Sequence, residues 1–106
     1  MEKLMYTYRA KLVRCVDGDT VDFEIDLGFR LTAHVRCRLL EVDTPERGRD
    51  DYAFATEMLK TLIIDSMDDE GYVVVTTHKT GKYGRWLVNI GEDGHINKTM
   101  AEKWPY

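Results

Sequence analysis

The sequence predicts a single five-stranded β-barrel of the OB type, with one helix between its third and fourth strands and a short helix near its C-terminal end. Three observations predict it. Apolar residues alternate with polar ones in short runs separated by Gly-containing turns, the period of half-buried strands. One longer apolar stripe has helical spacing and interrupts the strands after the third. The order of three strands, a helix, two strands and a helix has too many strands for a bundle and lacks the alternation of a βαβ fold.

From Tyr6 to Val16, Tyr6, Tyr8, Ala10 and Leu12 alternate with Thr7, Arg9 and Lys11, and the apolar phase slips at Val13, which predicts a bulge or bend there. Asp17-Gly18 is a turn signal, and Thr20 to Leu27 then places Val21, Phe23, Ile25 and Leu27 on one face, so a hairpin forms. Gly28 marks the next turn, after which Phe29, Leu31, Ala33, Val35, Cys37 and Leu39 continue the alternation as a third strand. Asp50 or Asp51 is placed to cap a helix reaching about Ser66, with Ala55, Met58, Leu59, Leu62 and Ile63 on its buried stripe. Tyr72 to Thr77 and Arg85 to Ile90 read as strands four and five around a loop at His78 to Gly84. Asn97 is read as the cap of a last helix reaching Lys103, with Trp104 packing it down and Trp86 in the core.

A chain of 106 residues, 43% hydrophobic and 32% charged, suits one compact domain over residues 1–106. No apolar run approaches the ~20 residues of a membrane span, and the first eight residues lack the apolar centre of a secretory signal, so no membrane partner and a cytoplasmic place in a bacterial or phage setting are expected. Cys15 and Cys37 are read as small buried hydrophobes, with a disulfide open only if their strands are neighbours. The net charge of -4 is unlike the basic balance of proteins that bind nucleic acid non-specifically, but Arg30, Arg36, Arg38, Arg47, Arg49, Lys79, Lys82 and Arg85 gather around two segments, which leaves a cationic site on an acidic body.

The chemistry-bearing stretch is Arg38-Leu39-Leu40-Glu41-Val42-Asp43-Thr44-Pro45-Glu46. Arg38 and Asp43 stand five residues apart and point to opposite faces of a regular strand. For both to serve one site the chain must bend near Glu41–Val42. Asp19, beside the Asp17-Gly18 turn, and Asp43 are the carboxylates to bring together, and with a main-chain carbonyl and water they suit a hard cation such as Ca²⁺. Arg38 and Arg85 each offer a planar fork of donors to a phosphate, and Glu46 is placed to take a proton from an attacking water. A polarising cation, two arginines and a base are what in-line hydrolysis of a phosphodiester needs. The histidines His34, His78 and His95 share no ligand spacing.

Val16-Asp17-Gly18-Asp19-Thr20-Val21, Arg38 to Glu46 and Lys82-Tyr83-Gly84-Arg85, in this order and across roughly Tyr8 to Asn97, resemble the three signatures of the staphylococcal nuclease (thermonuclease) family. The resemblance implies an OB-type barrel that cleaves DNA and RNA with one Ca²⁺ and leaves 3′-phosphates. It implies Asp19, Asp43 and the Thr44 carbonyl as metal ligands, Glu46 as the base, Arg38 and Arg85 on the phosphate, and Lys82 and Tyr83 on a terminal phosphate. Gly81 replaces an acidic residue of the family pattern, the loop after Glu46 is short, and the chain given ends at Tyr106 without the family's long C-terminal helix. With the acidic balance, these departures imply weaker and more salt-sensitive nucleic-acid binding. A monomer is expected, with a partner completing the substrate groove as the variant reading. The competing function is a catalytically silent OB-fold docking module for nucleic acid or protein.

Overall fold

The computed structural model describes residues 6–80 and 86–106. β1 (Tyr6–Asp17), β2 (Thr20–Gly28) and β3 (Leu31–Leu39) form an antiparallel meander, and α1 (Tyr52–Asp65) follows them. β4 (Tyr72–Thr80) and β5 (Trp86–Ile90) come next, and α2 (His95–Lys103) follows one 3₁₀ turn at Glu92–Gly94. The strands close in the order β1-β2-β3-β5-β4, with β4 returning to pair with β1. β5 runs parallel to β3 through Cys37↔Trp86, Arg38↔Leu87 and Leu39↔Val88, and this short ladder completes the five-stranded barrel expected from the sequence.

The alternation explains the core. Val21, Phe23 and Ile25 of β2, Cys37 and Leu39 of β3, Val73 and Val75 of β4, and Val88 and Ile90 of β5 are buried inside the barrel. α1 covers it with Ala55, Leu59 and Ile63, and α2 adds Ile96 and Met100. Each large side chain removed from water in this way contributes about 1.5–3 kcal/mol before conformational entropy is charged against it. The slip of phase at Val13 is a bulge: the β1–β2 register shifts between Leu12 and Arg14, and Val13 turns out to solvent. A bulged strand bends and twists more than a regular one, which lets β1 serve two neighbours.

Four local expectations are corrected. The β2–β3 turn is made by Phe29 and Arg30, both at positive φ (54° and 61°), and Phe29 is 97% exposed instead of continuing the apolar face of β3. The pairing Gly28↔Leu31 leaves a two-residue loop, and with both residues left-handed it is of the I′ kind, whose twist matches that of the flanking strands. Trp86 is 44% exposed and helps wall an apolar cleft of about 550 Å³ with Tyr6, Tyr8, Leu27 and Val35, so it is not core. Asp51 stands at the N-cap of α1 without a side-chain capping hydrogen bond. Asn97 is not a cap either: α2 starts at His95, and the buried Asn97 amide accepts from Ile90 N–H (2.8 Å) and donates to the carbonyls of Val88 (2.9 Å) and Leu40 (3.0 Å).

The two cysteines both pair with Val21 from opposite sides, so β2 lies between them and they are roughly 10 Å apart by strand spacing. Both are free thiols. Burial pushes Cys15 up to about 11 and Cys37 up to about 12, which makes them poor nucleophiles at neutral pH.

The Phe29–Arg30 turn places two bulky residues where asparagine and glycine fit better. Replacing the pair by Asn-Gly is expected to stabilise the protein by about 1 kcal/mol, read as a higher urea midpoint with an unchanged slope. A lower midpoint would mean that the exposed Phe29 ring makes contacts that outweigh its backbone strain.

Candidate active site at the end of β3

The site begins with the β1–β2 turn. Asp17 and Thr20 pair across it, and the Asp17 carboxylate accepts the Asp19 N–H at 3.0 Å, which fixes the turn from inside. Gly18 is required by space. A Cβ there would come within 2.8 Å of both the Thr44 side chain and Ala55 Cβ, so the turn packs directly on the loop after β3 and on α1. The hydroxyl of Tyr52 in the first turn of α1 donates to the Val16 carbonyl at 2.8 Å and holds the same corner.

β3 supplies the cation. Arg38 pairs with Thr20, and its guanidinium turns back over the end of the strand. Its Nη1 donates to the Val42 carbonyl (2.5 Å) and to the Leu39 carbonyl (3.2 Å). The same nitrogen lies 3.4 Å from Asp19 Oδ2, while Nη2 lies 3.7 Å from Asp43 Oδ1. The expected distortion is present. Regular pairing of β3 stops at Leu39, Leu40 and Glu41 form a turn with Glu41 at φ 65°, and Val42 re-enters as an isolated bridge. The bend swings Asp43 back toward Arg38.

The two carboxylates differ in setting. Asp19 is 7% exposed and almost fully engaged: Oδ1 accepts from the Thr20 hydroxyl at 3.1 Å, and Oδ2 accepts from the Thr44 N–H at 3.0 Å. The Asp43 side chain is 63% exposed and faces solvent. Arg38, its side chain 15% exposed, thus has a buried partner on one side and an open one on the other. Thr44 is buried, and its hydroxyl has no hydrogen-bond partner among the described residues.

Glu46 is exposed and shares with Asp43, Thr44, Arg49, Asp51 and Trp104 a depression of about 630 Å³. Arg38 thus links Asp19 to Asp43, Asp19 holds Thr44, and Glu46 lies on the wall of the hollow that Asp43 and Thr44 also line. Lys82, Tyr83 and Arg85 lie outside the described residues.

Acid outweighs base here. Asp19 and Asp43 flank one guanidinium, Asp17 stands beside Asp19, and burial, then the neighbouring Asp19 carboxylate, push the Asp17 carboxyl up to about 6. Among the described residues no three acid, histidine or cysteine side chains form a ready-made cage for an ion. The donor set fits a hard cation that keeps much of its water and borrows main-chain or substrate oxygens, because two carboxylates already converge on one positive group and a buried hydroxyl stands unpartnered beside them.

Sequence reasoning missed two contributors. Asp17 was legible only as a turn former, although the Asp-Gly-Asp spacing that makes the turn also sets two acids side by side. Trp104 was legible as packing, yet its carbonyl accepts the Asp43 N–H at 3.0 Å and its ring borders the depression.

No protein-family model matches the chain. An Escherichia coli O157:H7 protein bearing the name "Uncharacterized endonuclease" is 31% identical over 101 residues, covering 91% of this chain and 60% of the relative. An Escherichia coli protein of the same name matches to the same extent, and Protein ParB of Escherichia coli is 29% identical over 97 residues, covering 92% of this chain and 47% of its own length. The chain therefore spans 60% of the first two relatives and less than half of the third.

The Asp17 carboxyl holds its proton more tightly in the folded chain than in the unfolded one. In metal-free protein it therefore adds stability that is complete below pH ~4 and is lost as the pH rises through about 6. Asp17→Asn is expected to remove that slope, with a urea midpoint above wild type at pH 7 and a difference that shrinks toward pH 4. A constant difference at every pH would show that Asp17 does not titrate in this window.

Proposed function

We propose that the chain is a metal-dependent nuclease of the staphylococcal nuclease type, hydrolysing phosphodiester bonds of DNA or RNA to 3′-phosphate products. The observation that carries this reading is the convergence of Asp19 and Asp43 on the two ends of the Arg38 guanidinium, with Asp43 also lining the hollow that Glu46 lines. The two relatives named as endonucleases, matched over 91% of this chain, support the class.

In this reading Asp19, Asp43 and the Thr44 carbonyl hold one Ca²⁺, which when bound polarises the phosphoryl oxygen and lowers the barrier to attack. Arg38 places its outer nitrogens on a non-bridging phosphate oxygen and stabilises the charge that grows there in the transition state. Glu46 accepts the proton of the attacking water as its oxygen bonds to phosphorus. The phosphorus–O5′ bond breaks, the leaving oxygen is protonated from solvent, and the phosphate stays on the 3′ side. Arg85 on the phosphate, with Lys82 and Tyr83 on a terminal phosphate, complete the assignment on the sequence resemblance alone.

The charge of the site suits this reading. An acidic hollow repels a polyanion, and a dication held by Asp19, Asp43 and the Thr44 carbonyl would offset that repulsion. Binding is expected to be weak, because an acidic domain has few other phosphate contacts to offer.

Cleavage of single-stranded DNA and RNA with Ca²⁺, with Mg²⁺ and with chelator tests the reading. Cation-dependent cutting with 3′-phosphate ends is expected, abolished by chelator and reduced about 10²–10⁴-fold in Glu46→Gln and in Arg38→Ala. No cutting with either cation, with nucleic acid still bound, would replace the enzyme by a silent docking module.

A further inference from the structure

Residues 40–43 form the bend on which the site depends, and each of the four is held by the α2 segment. Leu40 offers its carbonyl to the Asn97 amide (3.0 Å), and Glu41 offers its carbonyl to the Tyr106 N–H (3.3 Å). Val42 bridges Pro105 in antiparallel fashion, and Asp43 donates its N–H to the Trp104 carbonyl (3.0 Å). The last two hydrogen bonds flank the Val42–Pro105 pair, so the bridge is complete without an N–H from proline.

This attachment is itself anchored. Asn97 is buried and tied to β5 at Val88 and Ile90, and the Trp104 N–H donates to the Met100 carbonyl at 2.9 Å. The Trp104 ring packs edge-on to Phe54 of α1 with centroids 5.9 Å apart. The bend needs such support because Glu41 sits at φ 65°, a conformation that a non-glycine residue keeps only when its surroundings enforce it. Arg38 shares the same seat, since its Nη1 donates to the carbonyl of Val42.

We infer that α2 and residues Trp104–Tyr106 act as a positioning clamp on the Leu40–Asp43 bend, setting where Asp43 and Arg38 stand relative to Asp19. The catalytic consequence of the clamp rests on the nuclease reading; its mechanical part does not. None of Asn97, Trp104 or Tyr106 is a catalytic residue. They act through Asp43 and through the carbonyl that seats Arg38.

The Thr44 N–H is the reporter. Its partner is Asp19, on the far side of the site from the clamp, so its protection changes only if the bend shifts or opens. Two variants loosen the clamp: deletion of Trp104–Tyr106, which removes three of its four attachments, and Tyr106→Pro, which abolishes one donor and leaves the rest of the chain intact. Pro105→Ala keeps both flanking hydrogen bonds and is the control. In metal-free protein, hydrogen exchange at Thr44 is expected to quicken at least about tenfold in both clamp variants, with Phe23 in β2 unchanged and Pro105→Ala at the wild-type rate. On nucleic acid, kcat is expected to fall about tenfold with KM within about twofold of wild type, since a misplaced Asp43 and Arg38 disturb the transition state more than the encounter.

Unchanged exchange at Thr44 would overturn the clamp, and so would exchange that quickens equally at Phe23, which is a loss of global stability. Quickened exchange at Thr44 with kcat unmoved would overturn its positioning role. A wild-type protein that cuts nothing would defeat the nuclease reading, and the exchange rates would then decide the clamp by themselves.

Discussion

The left-handed turn at Glu41 is the constraint on which the rest depends. A strand alternates its side chains, so Arg38 and Asp43 on a regular β3 would face apart. Ending the ladder at Leu39 and reversing the chain through Glu41 brings Asp43 to one nitrogen of the guanidinium while the buried Asp19 meets the other. The cost of that conformation, about 1–2 kcal/mol for a non-glycine residue, is offset by main-chain bonds that the bend itself makes available. The strained Glu41 stands two residues before Asp43.

The surroundings are arranged to keep that geometry rather than to fill space. Gly18 lets the β1–β2 turn lie against Thr44 and α1, and Tyr52 ties the turn to the helix. Asp19 spends its hydrogen-bonding capacity inside the protein, on Thr20 and Thr44, as a fixed post. Asp43, largely exposed, is the partner left open to a ligand. Pairing one buried and one exposed carboxylate with a single guanidinium keeps Arg38 oriented without fully neutralising it, and that orientation is what phosphate recognition asks of an arginine.

Much of this was legible in the sequence, and the reasons are physical. The period of two fixed the strands, the Asp-Gly signal fixed the first hairpin, and the phase slip at Val13 announced its bulge. The bend at Glu41–Val42 followed from requiring Arg38 and Asp43 in one place. What stayed hidden depends on partners distant in the chain. Asn97 looks like a helix cap because asparagine favours caps, whereas its amide is consumed by three groups at Val88, Ile90 and Leu40. Trp104 and Tyr106 reach the bend through their main-chain groups, which no side-chain pattern reports. Phe29 fitted the alternation, and only the pairing register revealed a turn there. The separation of Cys15 and Cys37 needed the strand order.

In the proposed reading a cation joins this acidic site. Asp43 is open to such an ion, Asp19 would share with it oxygens that already accept from Thr20 and Thr44, and one guanidinium does not balance the two carboxylates. The most direct test is a calorimetric titration of Ca²⁺ into the wild-type chain and into Asp19→Asn and Asp43→Asn. Uptake of one ion by the wild type, weakened at least about tenfold in each variant, is the expected result. Absence of uptake, or uptake that both variants retain, would contradict the central claim that these two carboxylates and Arg38 form one cation-dependent site.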